Sequence, residues 1–148
     1  MSALVATTLE AAAIDGMAQA LAAAGLPTAD LLHPGRIFYR FDDGAAAAGY
    51  AGLEGDGADR LLRSLVVLHD RRGAGLGRRI IAAVEREALT LGVRRLHLLT
   101  TTAAPFFRAC RYVEADRASA PAAIAGSTEF TALCPASASY FVKTLEAA

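Results

Sequence analysis

Residues 61–68, Leu-Leu-Arg-Ser-Leu-Val-Val-Leu, form an almost continuous apolar run of strand length. Further on, Ile80, Val84, Ala88 and Leu91 recur at helical spacing and predict an amphipathic helix over 76–91. Between the two lies Arg72-Gly73-Ala74-Gly75-Leu76-Gly77, a glycine-rich turn. Upstream, the pattern predicts a strand at 4–9 and a helix at 11–24, whose Ile14, Met17, Ala18 and Leu21 share a face and which Gly25 ends. A short helix capped by Thr28 is expected through Leu32, closed by Pro34-Gly35. Strands at 37–41 and 46–53 flank the turn Asp42-Asp43-Gly44. Downstream come a strand from Leu96, a short helix at 104–109, a strand near Tyr112, a loop with a turn of helix at 121–126, and a last strand at 139–145. Strand–helix–strand units mixed with hairpins imply an α/β chain built on a mixed sheet with helices on both faces. With 148 residues, no internal repeat and no long linker, one domain over 1–148 is expected.

The glycine turn suggests chemistry. A helix start presents unpaired N–H groups and about half a positive charge. Glycines at 73, 75 and 77 remove the Cβ atoms that would keep a large anion from those donors. The nucleotide P-loop string, with its Gly-Lys followed by Ser or Thr, is absent. The spacing is also not that of the dinucleotide fingerprint, and no strand with a terminal acid follows at the expected offset. Arg72, Gly75 and Gly77 fit R-x-x-G-x-G in full. The other reading is a tight turn whose glycines serve geometry alone.

That pattern resembles the coenzyme A pyrophosphate loop of the GNAT N-acetyltransferases. The string LTTTAAPFFRACRY, 99–112, is similar to the fifth strand and fourth helix of that family. The likeness is greatest to the acetyltransferase domain of N-acetylglutamate synthases and to the arsenic-resistance-associated N-acetyltransferases; FTALCPASASYFVK also resembles the latter group. It runs over about 49–145. The resemblance implies a GNAT fold with a central, mostly antiparallel sheet whose fourth and fifth strands splay apart. It implies acetyl-CoA as cosubstrate, held by the backbone of Leu65, Val66 and Val67 and by the loop Arg72, Gly73, Ala74, Gly75, Leu76, Gly77 and Arg78.

Composition narrows the partners. Fifteen basic side chains balance fifteen acidic ones, and Arg71, Arg72, Arg78 and Arg79 cluster only at the glycine turn, which disfavours nucleic acid. Cations at a helix start oppose its dipole, so an anion there is the natural partner, although four solvated arginines would look the same. Two cysteines, Cys110 and Cys134, make no disulfide framework, and neither has a second Cys or His at metal spacing, so no metal is expected. No apolar run has the length of a membrane span and no signal segment is evident, which predicts a cytoplasmic protein.

Transfer of an acetyl group to an amine needs a base. Glu54, at the end of the strand preceding 61–68, is the candidate. Arg63 should share a face with Leu65 and Val67 and requires an anionic partner. That partner is either Glu54 or the carboxylate of a substrate. Thr100 and Thr101 are candidate substrate contacts, while Thr102 could instead cap the next helix. In the resembled family a tyrosine commonly protonates the leaving sulfur; here the position holds Phe107. His69 stands where proline is common, and Arg111 replaces a usual glycine. Ser137 and Ser139, near the last strand, are weaker candidates for substrate contact, and Arg117 and Glu129 lie in the loop that in the resembled family shapes acceptor choice and receive no role. The expectation is an enzyme that acetylates the primary amine of a small, acidic, glutamate-like molecule or its arsenic or phosphorus analogue. A protein N-acetyltransferase and a non-catalytic acetyl-CoA sensor are the competing readings, and homodimerisation is left open.

Overall fold

The computed structural model describes residues 4–44, 46–68, 71 and 75–146. The elements in chain order are β1 (Val5–Thr8), α1 (Ile14–Ala23), β2 (Arg36–Asp43), β3 (Ala46–Glu54), β4 (Asp59–Val67), α2 (Leu76–Thr90), β5 (Arg95–Thr100), α3 (Ala104–Ala109), β6 (Val113–Ala115), α4 (Ala122–Ala125) and β7 (Ser139–Thr144). Short tight turns of helix stand at Ala11–Ala13 and Arg117–Ser119, and a π-helical turn at Glu129–Leu133. The expected helix after Thr28 does not form. Residues 29–34 make turns and bends instead, and Asp30, deep in that stretch, takes up arginines rather than a helical register.

Seven strands form one sheet in the order β1-β2-β3-β4-β5-β7-β6. The neighbours are antiparallel except β4 and β5, which run parallel. One face carries α2, whose Ile80, Val84 and Ala88 pack fully buried with Leu62, Leu96 and Phe141. Each such aliphatic side chain contributes roughly 1.5–3 kcal/mol by leaving water. The other face carries α1 through Met17 and Leu21, which meet Leu31, Phe38 and Val66.

The ends of α2 follow from its glycines. Gly75, at φ 73°, provides the left-handed residue from which the helix starts. Gly92, at φ 84°, follows its C-terminus. Val93 N–H donates back to Ala88 at 3.0 Å and Gly92 N–H to Leu89 at 3.1 Å, satisfying the last carbonyls.

The feature that creates the site is the parting of β4 from β5. They pair only from Asp59 opposite Arg95 to Leu61 opposite His97. Just beyond, β4 carries a bulge. Gly52 faces Arg63 and Tyr50 faces Val66, so Ser64 and Leu65 together oppose Ala51, and Ser64 sits at φ 59°. A bulge bends its strand and resets its alternation. Arg63 therefore lies on the face of Phe38, with its guanidinium carbon 5.8 Å from that ring's centroid, while Leu65 and Val67 pack on the opposite face against the α2 core. This corrects the simple alternation, which would put all three on one side.

Candidate active site

The closed end of the wedge is pinned by a buried polar chain. His97 on β5 approaches Asp59 of β4 through Nε2 at 2.7 Å and the Tyr140 hydroxyl of β7 through Nδ1 at 2.6 Å. An ionised carboxylate only accepts, so Nε2 carries the proton; in the neutral ring Nδ1 then accepts from Tyr140. Arg95 adds two bonds to Asp59, at 2.7 and 3.0 Å. Burial would raise the Asp59 carboxyl, but the bonds from Arg95 and His97 hold it below its ordinary range. Three strands are thereby fastened where two of them begin to separate. Nothing local in the sequence signals this link, because its members lie 38 and 43 residues apart.

Beyond that pin, the strands enclose a cavity of about 620 Å³. Leu65, Val66 and Val67 of β4 and Gly77 of α2 line one end of it. A Cβ on Gly77 would stand 3.1 Å from the Phe106 ring and 3.7 Å from Val67, so the glycine lets α2 approach α3 and β4 closely. Gly75 and Leu76 complete the helix start, and Arg78 there is exposed. Arg71 and Arg79 both reach Asp43, at 3.2 and 3.3 Å, which offsets part of the positive charge at this end. Arg72, Gly73, Ala74 and His69 lie outside the described residues.

The opposite wall is more polar. Arg63, whose side chain is 0% exposed, receives Asp30 on both terminal nitrogens at 2.6 Å and Glu54 on Nη1 at 2.7 Å. Arg36 joins the same cluster, at 2.7 Å from Asp30 and 3.5 Å from Glu54. Burial would raise the Asp30 carboxyl, yet the hydrogen bonds from Arg63 and Arg36 outweigh it and bring it down to about 2. Arg63 lines the cavity, whereas Glu54 does not and stands behind it. The ion pair foreseen as one of two roles for Arg63 is thus present, enlarged by Asp30.

Glu129, which the sequence left in a loop without a role, is also in the cavity wall. It opens the π-helical turn and is 5% exposed. Its Oε2 lies 3.4 Å from Arg63 Nε, and the Cys134 thiol approaches Oε1 at 4.0 Å. Burial above all, with the Glu54 and Asp30 charges, outweighs the pull of Arg63 and Arg36 and brings this carboxyl up to about 7. The two cysteines are free. Burial raises the Cys110 thiol and takes Cys134 up to about 11, so both stay protonated near neutrality.

At the end of β5, Thr100, Thr101 and Thr102 all line the cavity. Thr102 does not cap the next helix, whose N-cap is Ala103 and receives no side-chain cap bond; the Thr100 hydroxyl accepts from Ala103 N–H at 3.0 Å, just before that helix. Phe107 is buried and lines the cavity where a phenol was sought. Tyr112, at the aromatic position downstream, donates to Glu85 at 2.9 Å, and burial holds its hydroxyl protonated. Arg111 adopts φ 72°, the left-handed conformation that a glycine would take without strain.

The acetyltransferase (GNAT) domain family matches residues 33–114, more than half of the chain. The chain belongs to the GNAT acetyltransferase family. No curated protein matches it in sequence. Among solved structures, it is similar to N-acetylglutamate synthase from Neisseria gonorrhoeae complexed with coenzyme A and N-acetyl-glutamate, at 16% identity and TM-score 0.79, over 99% of this chain and 36% of that one. The chain therefore spans about a third of that synthase. A GNAT acetyltransferase from Staphylococcus aureus is similar at 14% identity and TM-score 0.72, over 97% and 100%. The ribosomal-protein-S18-alanine N-acetyltransferase from Escherichia coli is similar at 15% and 0.68, over 98% and 96%. The synthase structure is complexed with coenzyme A; in this chain the two strands part into a cavity beside the start of α2.

Proposed function

We propose that the enzyme transfers the acetyl group of acetyl-CoA to the primary amine of a small molecule in the cytoplasm. The observation that carries this reading is the parting of β4 and β5 into a cavity beside the start of α2. The backbone of Leu65, Val66 and Val67 would pair with the amide groups of the pantetheine arm. The helix start at Gly75, Leu76 and Gly77, with Arg72, Gly73 and Ala74 before it, would receive the diphosphate. The thioester supplies an activated acyl group. The chain's own task is to hold the amine close to it and to take the amine's proton. Phe107 donates no proton to the leaving sulfur, so that proton comes from the attacking nitrogen or from water.

An acidic acceptor was the class expected from the sequence, with Arg63 as its receptor. The pairing of Arg63 with Asp30 and Glu54 weakens the support for it, since a carboxylate would have to compete with contacts of 2.6–2.7 Å. Glutamate and its arsenic and phosphorus analogues therefore enter the assay as one class among several, beside uncharged and cationic amines and peptide N-termini.

Thermal unfolding with and without acetyl-CoA tests the cofactor reading. At a hundredfold excess over Kd, binding adds roughly 2.7 kcal/mol of stability. Release of free thiol with an amine panel tests the reaction. Turnover with peptides alone refutes the small-molecule reading, and tight acetyl-CoA binding without turnover makes the protein a sensor.

A further inference from the structure

The cluster around Arg63 contains more carboxylates than it can neutralise. Asp30, Glu54 and Glu129 face two guanidinium groups, Arg63 and Arg36. Asp30 and Glu54 take the short contacts, at 2.6–2.7 Å with Arg63. Glu129 is left with the long one, 3.4 Å from Nε, whose hydrogen is donated to the Ser64 hydroxyl at 3.1 Å. A carboxylate this deeply buried and this poorly matched is costly. It also lies in the cavity wall, so a cation entering the cavity can complete it. The π-helical turn that begins at this residue is an uncommon local geometry, found often at functional sites.

We propose that Glu129 receives the acceptor's ammonium group and takes its proton, so that the site selects amines with no carboxylate beside the nitrogen. This rests on the acetyl-transfer reading above. The bound ammonium gives one proton to the Glu129 carboxylate. The nitrogen lone pair then forms the N–C bond to the acetyl carbon as the C–S bond breaks. The leaving thiolate takes the second proton from nitrogen, and Glu129 returns its own to solvent. The products are the amide, the free thiol and one proton. A carboxyl held near neutrality suits this exchange, because it can be unprotonated to accept and still release afterwards. The groups facing it are Arg63 of β4, Glu54 of β3, Arg36 of β2, Asp30 in the turn before β2, and Cys134 at the end of its own turn. Charge also argues for the substrate class. An amino acid would bring its carboxylate against Glu129, with Arg63 and Arg36 already occupied, whereas the corresponding simple amine brings only the missing cation.

The test pairs amino acids with their decarboxylated counterparts: leucine with isoamylamine, and phenylalanine with phenethylamine. With acetyl-CoA as donor, the simple amine of each pair is expected to have kcat/KM roughly tenfold or more above its partner. Glu129→Gln should lower kcat/KM for the amines about a hundredfold and remove the acidic limb of its pH profile. Calorimetric titration of phenethylamine into the coenzyme A complex provides a readout without turnover. Affinity should fall roughly tenfold or more in Glu129→Gln, with coenzyme A affinity unchanged. Equal phenethylamine binding by the two proteins, no phenethylamine binding by wild type, or preference for the amino acids overturns the proposal. If acetyl-CoA binds but nothing is acetylated, the acetyl-transfer reading fails and the titration still decides the role of Glu129. If the variant does not fold, the amine-to-amino-acid ratio in wild type and the loss of phenethylamine affinity below pH 7 decide it instead.

Discussion

Asp30 holds Arg63 with both carboxylate oxygens, each 2.6 Å from a different terminal nitrogen. The two residues are 33 positions apart, and the pair ties the turn before β2 to the central strand β4. Both side chains are excluded from water. Removing one partner leaves the other as an incompletely matched buried charge, which typically costs about 3–5 kcal/mol. Asp30→Ala should therefore lower the free energy of unfolding by about 3 kcal/mol or more, read as a shift of the urea midpoint at unchanged slope. A shift below about 1 kcal/mol would mean that Arg36, Glu54 and Glu129 suffice to hold Arg63.

The same pair sets the response to acid. The Asp30 carboxyl is brought down from an ordinary 3.8 to about 2. A carboxyl depressed on folding contributes stability that is present above its unfolded value and lost as pH falls through its folded one. About 2 kcal/mol should thus disappear between about pH 4 and pH 2. Asp30→Ala should lack that portion of the loss, measured by urea unfolding over the same interval.

Glu129 works in the opposite direction. Its carboxyl is raised from 4.5 to about 7, so the folded protein favours the protonated form. The associated stability is fully present below about pH 4.5 and is lost as pH rises through 7. Wild type should then lose about 3 kcal/mol across that window, while Glu129→Gln, which keeps the neutral shape, should not. The variant is expected to be the more stable protein at pH 8 when no ligand is bound. A more stable but less active variant would distinguish a functional carboxylate from a structural one, because removing a structural partner of Arg63 would destabilise the fold.

Much of this architecture was legible in the chain. The apolar run at 61–68, the glycine turn and the helical spacing of Ile80, Val84 and Ala88 gave β4 and α2 to within a residue or two, because strong periodicity and glycine punctuation are local signals. The short helix at 104–109 was equally plain, with Pro105 in its first turn. What escaped was non-local. The bulge at Ser64 has no glycine to announce it, and it moved Arg63 to the other face. The pairing of Arg63 with Glu54 was one of two readings open from neighbouring strands, but Asp30 and Glu129 lie far off in sequence, so only the folded chain shows that they join it. Glu129 stands in a π-helical turn that no hydrophobic period encodes.

Gly75 offers a test of the helix start. Space around it is open, but its φ of 73° is the left-handed conformation. An L side chain there costs roughly 1–2 kcal/mol. Gly75→Ala should reduce stability by about that amount, and any relaxation of φ would turn the first amides of α2 away from a bound diphosphate. Coenzyme A affinity should fall with it, measured by calorimetry. Full affinity together with the stability loss would show that the diphosphate is held elsewhere.

Tyr140 completes the pin at the closed end of the wedge. Tyr140 is 2% exposed, and its hydroxyl reaches His97 Nδ1 at 2.6 Å. Tyr140→Phe keeps the ring and its edge contact with Phe130, at 5.3 Å between centroids. It removes the donor and leaves a buried ring nitrogen without it, at a cost of about 1–3 kcal/mol. The hydroxyl belongs to the joint between β5 and β7, not to the cavity wall. Stability should therefore drop while KM for acetyl-CoA stays within about twofold of wild type, a difference of less than about half a kcal/mol. A large rise in KM at unchanged stability would instead mean that this joint governs how far the two strands part.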